Sequence, residues 1–167
     1  MKTLRPVESG FTLAELLVVV VILGILASLG ASGFRSLIES QQAKSASFEL
    51  FASLSLARSE AIKRNKPVTL TPTDATNWGK GWTITLDINS YSCPATSATG
   101  TIKSQSELKK IVISQSATSV CYDSTGRATV STPFLLDVST TPTANARCIK
   151  IELSGMPRAY KPVNGAC

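Results

Sequence analysis

The sequence predicts an α+β fold: a long N-terminal helix, membrane-spanning in its first half, packed on an antiparallel β-sheet or small β-sandwich head. No charged side chain lies between Leu16 and Arg35. Helical periodicity then continues to Arg64 but turns amphipathic, and from Val68 onward short β-rich runs alternate with turn signals. Across 167 residues, 43% are hydrophobic and only 17% charged, which is too apolar for a disordered chain. The absence of His removes the commonest general base, the commonest zinc ligand and the usual triad partner. Most hydrolase and metalloenzyme readings fall with it, and no catalytic residue, metal site or cofactor is expected.

Residues 1–10 are polar and carry Lys2 and Arg5, which hold that end in the cytoplasm. The apolar run of residues 11–34 spans about 36 Å as a helix at ~1.5 Å per residue, enough to cross a bilayer. Glu15 interrupts it. An ionised carboxylate in such a run costs roughly 2.5–3.5 kcal/mol unless it is paired. Either it snorkels to the interface, or it meets a cation. A cut between Gly10 and Phe11 would place a new α-amino group one helical turn before Glu15, and a neighbouring subunit's amine would serve equally. An ordinary secretory signal peptide fits less well, because the run is too long, contains Glu15 and lacks a small-residue cleavage site. Gly24, Gly30 and Gly33 each weaken the helix by ~1 kcal/mol relative to Ala, consistent with close helix packing.

Past Phe34 the helix turns amphipathic: Phe34, Leu37 and Ile38 share one face, and in residues 35–66 Leu50, Leu54, Ala57 and Ala61 recur at helical spacing with Phe51 beside them. Pro67 is expected to end the helix. Lys63, Arg64 and Lys66 complement the helix dipole there, worth ~0.3–1 kcal/mol, or else touch a partner. The head, residues 67–167, shows strand patterns at Val68–Thr71, Trp82–Ile88, Lys110–Ser114, Ser119–Tyr122, Ala128–Ser131, Phe134–Val138 and Cys148–Leu153. Pro94–Gly100 and Ser139–Ala146 read as loops. Trp78 and Trp82 read as core aromatics bracketing a turn rather than as a ligand-stacking pair.

The four Cys all lie in the head, without a C-x-x-C and without His to share a metal, so they imply disulfides in an oxidising compartment. Cys148–Cys167 and Cys93–Cys121 are the favoured pairs. Lys2 and Arg5 cancel Glu8 and Glu15, so the +6 net charge lies from Arg35 onward. Arg147, Lys150, Arg158 and Lys161 form a basic tail region able to meet phosphates, or simply a solvated surface.

The string Gly10-Phe11-Thr12-Leu13-Ala14-Glu15-Leu16-Leu17, behind a short basic leader, resembles the processing motif of type IV pilins and type II secretion pseudopilins. The head adds Ala57-Arg58-Ser59-Glu60-Ala61, Trp78-Gly79-Lys80-Gly81-Trp82 leading to Asp87, and Tyr122-Asp123-Ser124-Thr125-Gly126-Arg127, which resemble the GspH/FimT group of minor pilins and pseudopilins. The resemblance implies cleavage after Gly10 by prepilin peptidase, methylation of Phe11, and a docking role for Glu15. It also implies that the glycine-bearing stretch can unwind in a filament. A structural, non-enzymatic subunit priming or capping a type IV pilus is therefore expected. It would sit in the bacterial inner membrane with its head in the periplasm, then in the pilus beside other minor pilins and the major pilin. The alternatives are a type II secretion pseudopilin and a minor pilin that binds double-stranded DNA for natural transformation. Some members of the group bind DNA through a C-terminal Gly-Arg-x-Arg motif. Here the matching stretch is Gly155-Met156-Pro157-Arg158, where Met156 replaces the first Arg and Lys161 follows.

Overall fold

The computed structural model describes residues 11–93, 99–115, 117–129, 134–138, 146–164 and 166–167, with the side chains of residues 28–33, 35, 135, 137 and 138 outside that description. The expected leader, Gly10 and most of the expected loop at residues 139–146 also lie outside the described residues. The chain divides into two compact units, Met1–Ile38 and Glu39–Cys167.

Helix α1, Leu13–Arg64, is 52 residues long. Its end is set before Pro67. Asn65 takes a left-handed φ of 51°. The Lys66 N–H donates to Ala61 C=O at 3.2 Å and the Asn65 N–H to Ile62 C=O at 3.3 Å. This double closure satisfies carbonyls that the last turn would leave orphaned, and Asn tolerates the left-handed conformation it needs. In the same turn the Arg64 guanidinium bonds Glu60 and holds its carboxyl below the usual range.

Strands β1 (Val68–Pro72), β2 (Trp82–Leu86), β3 (Gly100–Gln105), β4 (Ile111–Ser114), β5 (Val120–Tyr122), β6 (Phe134–Val138), β7 (Arg147–Ile151) and β8 (Pro157–Tyr160) follow. Among the described residues they form two four-stranded sheets, β3-β2-β1-β5 and β4-β6-β7-β8, antiparallel throughout. Leu70 faces Ile84 on one side and Val120 on the other. Phe134 faces Ile149.

The α1 stripe of Leu50, Leu54, Ala57 and Ala61 is fully buried, in one core cluster with Leu70 and Ile84 of the first sheet and Phe134, Ile149 and Ile151 of the second. Burying a leucine contributes about 1.5–3 kcal/mol, so this stripe anchors the second half of the helix. Phe34, Leu37 and Ile38 remain exposed, and burial along the helix starts at Glu39 and Ala43. Trp78 and Trp82 are core residues. Trp78 lies in a single 3-10 turn, Trp78–Lys80, and meets Phe134 edge-on with ring centroids 5.0 Å apart. The Asn77 side-chain oxygen accepts from Gly79 N–H at 2.8 Å and from Ile113 N–H of β4 at 3.0 Å, so this turn ties the two sheets together.

Two strands depart from the expectation. β3 falls in a stretch of no recognisable pattern, because as an edge strand it buries no residue fully and shows no alternation. β8 begins at Pro157, which reads as a breaker but is tolerated at the first position of an edge strand. Conversely, Ile88 and Leu153 lie just past the ends of β2 and β7 and are exposed.

Candidate assembly and binding surfaces

The first surface is the start of α1. Thr12 and Glu15 form a reciprocal capping box. The Thr12 hydroxyl oxygen accepts from the Glu15 N–H at 3.2 Å, while the Glu15 carboxylate accepts from the Thr12 N–H and hydroxyl, each at 3.0 Å. The sequence reading missed this partner, although Thr-x-x-Glu ahead of an apolar run is its signature. Around it the helix is bare: Phe11 is 84% exposed, and the large side chains of residues 16–26 are all about half exposed. Among the described residues no helix is long and apolar enough to cross a membrane; the described side chains of this run end at Ala27 and resume at Phe34.

The cysteines lock the head. Disulfides join Cys93 to Cys121 and Cys148 to Cys167, with Cα atoms 5.9 and 5.7 Å apart. Cys121 lies in β5 and Cys148 in β7, so each sheet carries one link. The C-terminal residue is also held by the Tyr160 hydroxyl, which donates to Cys167 C=O at 3.0 Å.

The Asp123–Arg127 turn connects helix and sheets. Burial pushes the Asp123 carboxyl up, but hydrogen bonds from the Thr125 hydroxyl and from the Arg127 and Thr125 N–H groups outweigh it, and the carboxyl sits below the usual range. Arg58 of α1 donates from Nε to Gly126 C=O at 3.1 Å. Gly126 (φ 79°) and Gly155 (φ 82°) are both left-handed. A Cβ on Gly155 would strike the Gly126 carbonyl oxygen, so this contact needs glycine. Gly155 therefore serves the packing of the head. Tyr122, just before the turn, has its hydroxyl buried without a partner, and burial raises its pKa.

The structure splits the four basic tail residues. Lys150 and Arg158 are register partners on β7 and β8. Arg158 pairs with Glu152 at 3.7 Å, an exposed contact worth at most about 1 kcal/mol. Arg147 is an odd number of residues from Lys150, so strand alternation turns it to the other face. There, Arg147 and Lys161 line a groove with Lys44, Phe48 and Phe51 of α1. Sequence reasoning missed this meeting, because about a hundred residues separate Lys44 and Phe48 from Arg147 and Lys161. Among the described residues no His, Cys, Asp and Glu are grouped to hold a metal ion.

With this geometry in view, the comparisons with known proteins decide the family. The model of the family described as type II transport protein GspH matches residues 46–155, most of the chain and nearly all of the strand-bearing head. The chain belongs to the GspH family. A second model, the prokaryotic N-terminal methylation motif, matches residues 5–31. It implies processing by prepilin peptidase and assembly with other pilins. The GspH-family fold is shared with the type IV minor pilin FimU of Pseudomonas aeruginosa, at 19% identity and a TM-score of 0.59, covering 75% of this chain and 91% of that one. It is shared too with the minor pseudopilin EpsH of the Vibrio cholerae type 2 secretion system, at 12% identity and a TM-score of 0.54, covering 72% and 98%. No curated protein sequence matches the chain. The chain thus joins the fold of the GspH family to an N-terminal methylation motif.

Proposed function

We propose that this chain is a structural minor pilin that primes or caps assembly of a type IV pilus, and that it catalyses no reaction. The observation that carries this is an apolar helix half left exposed on the isolated chain, with Glu15 as its acid, in a chain whose head is locked by disulfides. In this reading prepilin peptidase removes residues 1–10 at the Gly10–Phe11 bond, and Phe11 is N-methylated. Residues 11–34 then hold the subunit in the inner membrane and later enter the filament core. Residues 35–66 carry the amphipathic helix half, and residues 67–167 face the periplasm and then the cell surface as the head. Glu15 exchanges its Thr12 hydrogen bonds for an amine, its own or a neighbour's. An ion pair of that kind is far stronger in an apolar bundle than in water.

Glu15→Ala tests the reading. The variant should still be cleaved after Gly10 but should reach the filament poorly and lower the number of pili. Normal incorporation and normal piliation would overturn the docking role. A second reading, a pseudopilin of type II secretion, draws on the family being one of type II transport proteins. Deleting the chain separates the two, because loss of pili supports the first and loss of protein export with pili intact supports the second.

A further inference from the structure

The groove beside α1 has a chemistry of its own. Two cavities, of about 440 and about 430 Å³, share Phe51 and continue one another between the helix and edge strand β8. On the helix they follow one stripe from Lys44 to Lys63, about 28 Å at ~1.5 Å per residue. The lining is chiefly apolar. Phe48 is 70% exposed there, where a helix facing only water gains nothing from an aromatic ring, and Ile62 and Met156 at the other end are also about half exposed. Every charged residue of the lining is a cation: Lys44, Arg147 and Lys161 in one cavity, Arg58 and Lys63 in the other. Lys63 stands 3.9 Å from Glu60 and Arg58 is bonded to Gly126; at the Phe48 end Arg147 donates one Nη to Ala146 C=O at 2.9 Å, so Lys44, Lys161 and the rest of the Arg147 guanidinium are offered outward. Among the described residues Lys44, Arg147 and Lys161 have no carboxylate within ion-pair distance.

We infer that this groove receives an acidic amphipathic helix from a neighbouring filament subunit, with apolar side chains on Phe48 and Phe51 and carboxylates against Lys44, Arg147 and Lys161. The inference deepens the assembly role proposed above and rests on it for the source of the helix. Charge complementarity selects the acid, and the aromatic floor selects an apolar face. A nucleic-acid backbone would meet the cations but would leave the floor uncovered. Strand addition to β8 is disfavoured, because the strand is short and carries Pro157 and Arg158, features that protect an edge. Side-chain anchors in a groove are the mode that remains.

The test uses the full chain in zwitterionic lipid nanodiscs, with empty nanodiscs as the control. The probes are a fluorescent Leu/Glu amphipathic helical peptide, its Leu/Lys counterpart, and a short DNA duplex. The acidic peptide should bind the wild type, and Lys44→Glu/Lys161→Glu should weaken it at least tenfold while gaining the basic peptide. Phe48→Ser should weaken the acidic peptide on the wild-type background and the basic peptide on the charge-reversed one. Equal binding of the acidic peptide to wild type and charge-reversed chain, or no binding at all, would overturn the inference. So would DNA that displaces the peptide and binds more tightly as salt falls, which would make the groove a nucleic-acid site. Because the peptide titration needs no filament, its failure is distinct from a normal pilus count in the deletion strain, which would instead sink the assembly reading.

Discussion

The two halves of α1 share a secondary structure and differ in what stabilises it. After Glu39 the helix buries Ala43, Leu50, Leu54, Ala57 and Ala61 completely against its own head. Before Ile38 it leaves Leu16, Leu17, Val18, Ile22 and Leu26 more than half exposed. Most helical stability comes from packing an apolar face, not from propensity. One half is therefore completed within the chain, and the other leaves its apolar side chains exposed. The polar groups repeat the contrast. Arg58 in the second half bonds the head at Gly126, whereas Glu15 in the first half bonds only its neighbour Thr12 among the described residues.

The largest effect should come from breaking the completed half. Leu54→Ala should lower head stability by about 2–5 kcal/mol in chemical denaturation, through lost burial plus a cavity. Leu16→Ala should change the same quantity by less than about 0.5 kcal/mol. Equal losses would erase the distinction between the halves. Next, Cys148→Ser with Cys167→Ser opens the C-terminal link, whose cysteines are 19 residues apart. Loop-closure entropy puts its contribution near 3 kcal/mol, and the denaturation midpoint should fall accordingly. The smallest effect is one of pH. The Asp123 carboxyl has a folded pKa below its unfolded value, so the stability it contributes is present above about pH 4 and disappears as pH falls through the folded value. Asp123→Asn should flatten the acid end of the stability curve measured from neutral pH to about pH 2. An unchanged acid slope would mean that the turn beneath Arg58 adds nothing to the head.

The architecture was legible where a residue pattern has one physical cause. A charge-free run, a stripe of Leu50, Leu54, Ala57 and Ala61, and the alternation of Trp82, Ile84 and Leu86 each follow from burial on one face or all faces. The reading weakened at edges. β3 and β8 pair through their backbones on one side and face water with their side chains, so hydrogen bonding, which residue identity hardly records, defines them. The helix end at Arg64 was legible from Pro67, while the left-handed Asn65 that closes the last turn was not. The basic residues looked like a single patch because sequence proximity says nothing about faces; register separates Lys150 and Arg158 from Arg147 and Lys161. The groove was invisible for the same reason, since Lys44 on α1 and Lys161 after β8 are far apart in sequence and meet only through the fold.

The two disulfides also set an order of events. Such links form and persist only in oxidising compartments. In a reducing compartment the same chain has neither Cys93–Cys121 nor Cys148–Cys167, and its two sheets must hold without them. The head thus gains its full strength only once both links have formed, and until then it is held by its core and sheets alone.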